Sequence, residues 1–117
     1  MPRAFLVHWN KEEVLEKARP LRAAGWSVVC EHGDGEVAFK SIREKPPEVV
    51  IIHLSRLPSH GARVAEVLQQ TKATHEIPIV FVDGEPDKIA KVQQKIPNAT
   101  YLQSMHLDKF LQRFMKA

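Results

Sequence analysis

Cysteine is nearly absent from this 117-residue chain. The single residue, Cys30, excludes an internal disulfide and, lacking a C-x-x-C partner, cannot anchor a structural zinc site by itself. It reads as a small apolar filler at the end of a strand. No uninterrupted apolar run approaches the roughly 18 residues that a membrane-spanning helix needs. The start, MPRAFLV, has no apolar signal region, so the cytoplasm is the expected location. Glycine is also scarce, at five residues, and the segment HWNKEE after the first apolar run lacks the G-x-G-x-x-G of a dinucleotide site. Repeats, low-complexity tracts and linker-like composition shifts are missing too. A single domain over 1–117 is expected, large enough for one core. Neither sign of charge dominates: the net charge is +3. Residues 1 to 84 hold 11 basic and 11 acidic groups and residues 85 to 117 hold 6 and 3, so the whole excess lies in the last third.

What is present is organised around PEVVIIHLSRLPSHG, Pro47 to Gly61. Val49 to Ile52 is apolar without alternation, the pattern of a strand covered on both faces in a parallel sheet. His53, Ser55, Arg56, Pro58, Ser59, His60 and Gly61 follow as a polar loop at the strand's carboxyl end, where doubly wound sheets place ligands and chemistry.

The other elements fall on either side of this strand. Arg3 to Val7 reads as a buried strand. Asn10 caps a helix, with Glu13 completing a capping box and placing negative charge at the positive end of the dipole. Val14, Leu15, Ala18, Leu21 and Ala24 face inward along it, and Gly25 stops it. Pro20 should kink this helix or end its first part near Arg19. Trp26 to Cys30 reads as a second strand at a sheet edge, and His32-Gly33-Asp34-Gly35 as a turn. Glu36 to Glu44 is a helix with Val37, Ala38 and Ile42 inward, ended by Lys45-Pro46-Pro47. A third helix follows Gly61 with Val64, Ala65, Val67 and Leu68 inward. Ile77 to Val82 repeats the buried-strand signal, and Pro86 opens a helix running to about Lys95. Thr100 to Gln103 is a fifth strand, and Leu107, Phe110, Leu111 and Phe114 mark a last helix. Five strands alternating with five helices imply an α/β fold: a doubly wound, flavodoxin-like parallel sheet of order 2-1-3-4-5 with helices on both faces. In that order His8-Trp9, His53 and Asp83 share one cup at the topological switch point.

From Arg3 to about Phe114 the chain resembles the CheY-like receiver domains of two-component response regulators, in element order and in the spacing of the central loop. Their third strand ends in an aspartate followed by a Pro-containing loop and a glycine eight residues on. His53 stands at that aspartate position, and Gly61 keeps the spacing. The resemblance implies two acidic metal-holding residues after the first strand, where this chain has His8 and Trp9. It implies a Thr or Ser at the end of the fourth strand, here Asp83, and a lysine after the fifth, here Ser104, or Gln103 one position earlier. Fold carries over, while the metal site and phosphorylation do not: the pattern is that of a pseudo-receiver. Phosphoryl transfer to an aspartate needs a carboxylate, an oxygen-rich Mg²⁺ site and a cation, which independently supports that reading.

His8, His53, His60 and Asp83 are ligand types for a transition metal. Histidines at strand ends more often hydrogen-bond backbone or a carboxylate, and a contact between His53 and Asp83 would satisfy both without metal, so no metal or other cofactor is expected. The D-x-H-x-x-G loop of cobalamin-binding domains is missing, and Ser59-His60 lacks the G-x-S-x-G elbow of a hydrolase. An enzyme is therefore not expected. Function then falls to the surface. Lys88, Lys91 and Lys95 recur at helical spacing on the fourth helix, and Lys109, Arg113 and Lys116 on the last, with Tyr101 on the strand between. In receivers this face is a common dimerisation and partner surface, so the expected partner is a protein, either a different one or a second copy. Nucleic acid is the weaker alternative, because interleaved aromatics and a helix-turn-helix are lacking.

Overall fold

The computed structural model describes residues 1–115. Its strands are β1 (Arg3–Val7), β2 (Ser27–Glu31), β3 (Val49–His53), β4 (Ile79–Val82) and β5 (Thr100–Leu102). They alternate with α1 (Lys11–Ala23), α2 (Gly35–Glu44), α3 (Pro58–Gln70), α4 (Pro86–Lys95) and α5 (Ser104–Leu111), and a 3-10 turn over Gln112–Phe114 follows. All strand pairs are parallel, in the order β2-β1-β3-β4-β5, as the sequence predicts.

Every residue of β3 is buried, because alternate side chains enter two different cores. Val49 and Ile51 join Ala4, Leu6, Val80 and Val82 beneath α1 and α5, together with Val14, Ala18, Leu21 and Leu111. Val50 and Ile52 join Phe5, Val7, Ile79 and Phe81 beneath α2, α3 and α4. Close approach at one point explains the central glycine: a Cβ on Gly61, in the first turns of α3, would lie 2.6 Å from Ile52 Cγ2. Only a residue without a side chain lets α3 settle this low on β3.

Local chemistry sets the helix ends. Asn10 Oδ1 accepts the Glu13 amide at 2.9 Å, and Asp34 caps α2 through the amides of Glu36 and Val37. Gly25, at φ +102, provides the positive-φ residue after α1. At the open edge of the sheet, Arg22 Nη2 reaches across and donates to the Val28 carbonyl of β2 at 2.8 Å.

Several local expectations are corrected. Helix α1 continues through Pro20 to Ala23, so it does not end near Arg19: one lost donor near a C-terminus costs less than unpacking Leu21. Leu15 and Ala24 are exposed and Val37 is 48 % exposed. The buried stripes are narrower, Val14-Ala18-Leu21 and Ala38-Ile42, and a residue one step round a helix turns about 100° away. Helix α3 begins at Pro58 rather than after Gly61: proline at the first helical position fixes φ and wastes no hydrogen bond. Ahead of it, Leu57 sits in the left-handed region at φ 43. Strand β2 starts one residue after Trp26, β4 two residues after Ile77, and β5 stops before Gln103.

Candidate functional site

Strand alternation carries His8 and His53 to the same side of the sheet, under α1. His8 is completely buried and His53 is 2 % exposed, and their rings meet edge to face with centroids 4.9 Å apart. His8 Nε2 lies 2.8 Å from Glu13 Oε1. A carboxylate can only accept, so Nε2 of His8 carries a proton. Among the described residues, His8 Nδ1 and both ring nitrogens of His53 have no hydrogen-bond partner. Burial, then the charge of a protonated His8 and that of Lys17, pushes the His53 imidazole down to about 4 against the opposing pull of Asp83 and Glu13. At neutral pH His53 is therefore an uncharged, buried ring.

Glu13 closes this pair off. Its carboxylate also receives Arg56 Nη2 at 2.5 Å and Nε at 3.2 Å, joining α1 to the loop after β3. The hydrogen bond from Arg56, followed by that from His8, holds the Glu13 carboxyl down to about 2. The capping box is accordingly half formed: Asn10 caps Glu13, but the Glu13 side chain does not return to the Asn10 amide, which donates to the His8 carbonyl instead. Glu13 and Arg56 complete the site, and sequence reading assigns neither to it. Their only local signal is opposite charge, Glu13 in the first turn of α1 and Arg56 in the loop after β3.

The remaining strand-end residues disperse. Asp83, at φ 59, directs its carboxylate to the Ser104 amide at 2.8 Å and to the Ser104 hydroxyl. Burial acts to raise its pKa, but the Ser104 hydrogen bonds outweigh it and hold it below the usual carboxylate value. This carboxylate supplies the cap that Gln103 does not give α5, so the anticipated bond between Asp83 and His53 is replaced by one to Ser104. Trp9 turns to the opposite side of the sheet, where its ring lies edge to face with exposed His60 at 6.1 Å. Among the described residues no three His, Cys, Asp or Glu side chains are placed to share a metal ion.

On the basic face, Lys88, Lys91 and Lys95 are all exposed on α4, opposite buried Val92 and Ile96, and Lys109 is exposed on α5. Tyr101 is half-buried. Its ring stacks on Phe81 at 5.0 Å and its hydroxyl donates to the Ile96 carbonyl at 2.6 Å, so the polar group placed on the partner surface is turned into the protein. Arg113 lies in the 3-10 turn beyond α5, with its guanidinium 5.0 Å from the Phe110 ring centroid. Lys116 lies outside the described residues.

The five-stranded sheet, its order and the two helical layers define the fold of CheY-like receiver domains, and the solved structures it resembles are such domains. The chemotaxis response regulator CheY4 of Vibrio cholerae superposes with a TM-score of 0.77 at 20% identity, covering 97% of this chain and 98% of that one. A response regulator from Desulfuromonas acetoxidans gives 0.77 at 15% identity over 98% and 97% of the two chains. The N-terminal domain of a response regulator receiver protein from Methanoculleus marisnigri gives 0.72 at 16% over 94% and 91%. At these identities the likeness is one of fold. No protein-family model matches the sequence. No described helix is long and apolar enough to cross a membrane.

Proposed function

We propose that this protein is a non-phosphorylatable receiver-like domain that acts in signal transduction or regulation by contact with another protein. The contact surface is the face formed by α4, β5 and α5, and the protein is not an enzyme. The observation that carries the reading is the chemistry at the strand ends. Where the resemblance calls for carboxylates to accept a phosphoryl group and hold Mg²⁺, there are two buried imidazoles and an indole. Magnesium requires several oxygen ligands in octahedral geometry. The two carboxylates that act on His53 are already engaged, Glu13 by Arg56 and His8 and Asp83 by Ser104. The residues present therefore do not fit the ion. A buried, uncharged imidazole with nothing to activate it is no substitute nucleophile.

The exposed lysines of α4 support the surface assignment: their outward position leaves the helix packing untouched and gives steering charge for an acidic partner. Two measurements test the reading. Acetyl phosphate with Mg²⁺ should add no mass to the protein, and a gain of one phosphate refutes the first half. For the second, proximity labelling in the source cell compares wild type, the Lys88→Glu/Lys91→Glu/Lys95→Glu variant and His53→Leu. Partners should be lost only with the charge-reversed variant, and the opposite pattern moves the working site to the strand ends.

A further inference from the structure

The opposite side of the strand ends opens into a cavity of about 880 Å³ between the β2–α2 turn and the start of α3. That volume falls in the range of small-molecule sites. Trp9, Phe39 and His60 supply aromatic walls, and Val67 adds an apolar one. Two exposed residues of opposite charge face the same space, Glu36 from the first turn of α2 and Arg63 from the second turn of α3. They do not pair: among the described residues neither lies within salt-bridge distance of an opposite charge. The other carboxylate of the lining, Asp34, caps α2 through Oδ1 and keeps its negative charge beside Glu36 at the start of that helix.

An aromatic cavity flanked by a cation on α3 and by carboxylates at the start of α2 matches a ligand that carries a ring and both charges. A ligand of single charge would meet a like charge at one wall, and a neutral ring would leave both unmatched. We propose that this cavity binds a free aromatic amino acid as its zwitterion. The ring lies among Trp9, Phe39 and His60, the carboxylate faces Arg63 and the ammonium faces Glu36. An α-carboxylate and an α-ammonium on one carbon occur together only in the free amino acid, which separates this ligand from a peptide terminus. The proposal is independent of the lysine face.

The test is a titration of ¹⁵N-labelled protein with L-tryptophan, tryptamine and indole-3-propionate, followed by ¹H–¹⁵N spectra. With L-tryptophan the indole N–H of Trp9 and the amides of Gly33 and Gly35 should shift saturably. The indole of Trp26, buried in the core under α1 and α5, should not. Tryptamine and indole-3-propionate should each bind roughly tenfold more weakly, the scale of one charge-assisted hydrogen bond at a half-open site. Arg63→Gln should weaken L-tryptophan and indole-3-propionate but bind tryptamine at least as tightly, since a like charge is removed. Glu36→Gln should weaken L-tryptophan and tryptamine but bind indole-3-propionate at least as tightly, for the same reason. Both side chains are exposed, so both variants should melt as wild type does. Absence of saturable shifts overturns the proposal, as do equal affinities for the three probes or variants that weaken all three alike.

Discussion

Replacing His53 by leucine should flatten the acid side of the stability curve. The imidazole is an ordinary base near 6.5 in the unfolded chain and is held down to about 4 in the fold. Between those values the unfolded state binds a proton that the native state refuses, so unfolding is favoured as pH falls. The sign follows: the contribution is complete above about pH 6.5, shrinks as pH drops towards 4, and is constant below. At about 1.4 kcal/mol for each tenfold change in an ionisation constant, the interval amounts to roughly 3 kcal/mol. Leucine has no proton to bind, and it also removes two buried nitrogens without partners, each carrying a desolvation cost. The variant should therefore be at least as stable as wild type near neutral pH. Urea unfolding of both proteins, followed by circular dichroism at several pH values from about 7 to 4, measures the difference directly. Groups remote from His53 cancel in the comparison, and an added His8→Gln background in both chains removes the titration of its nearest neighbour. Wild type should lose roughly 3 kcal/mol more than His53→Leu across the interval. Parallel curves would refute a buried, uncharged His53.

Gly61→Ala should destabilise by roughly 1–3 kcal/mol, the cost of forcing a methyl into packed space, because its Cβ would stand 2.6 Å from Ile52 Cγ2. An unchanged urea midpoint would show that α3 can lift off β3 freely. Asp83→Ala should cost about 0.5–2 kcal/mol, as the loss of a helix cap does, and should speed hydrogen exchange at the Ser104 amide. Asp83→Asn, which keeps an acceptor, should recover part of both effects, and full protection of that amide in Asp83→Ala would exclude the cap.

Fold and site were legible to different depths because their signals have different ranges. The unbroken Val49–Ile52 run and the Ile-Val-Phe-Val of β4 record burial on two faces within a few residues, so strand type, order and topology could be read from the chain. Helix stripes could be placed only approximately: Leu15 and Val37 are as apolar as their neighbours, and a single step round the helix decides whether they meet the core. The start of α3 was misread because Ser59, His60 and Gly61 look like loop, although Pro58 carries the same first-position signal that located α4 at Pro86. At the site, the strand-end positions were recognisable but their contacts were not. Glu13 has a sufficient local role in capping, and nothing near it announces Arg56, which lies 43 positions away. Asp83 and Ser104 are likewise joined across 21 positions, by a left-handed turn that sends the carboxylate away from His53.

The arginine bridging α1 to the outer strand has a consequence for the protein in crowded solution. Strand β2 is an open edge of the sheet, and its sequence Ser-Val-Val-Cys-Glu is short and carries no charge before Glu31, with Val29 46 % exposed. Such an edge is a template on which a second chain can extend the sheet and seed polymers. Arg22 occupies the Val28 carbonyl, one of the acceptors an incoming strand would need, and leaves a cation where an apolar partner would have to lie. Arg22 thereby blocks one of the positions at which a second chain could extend the sheet.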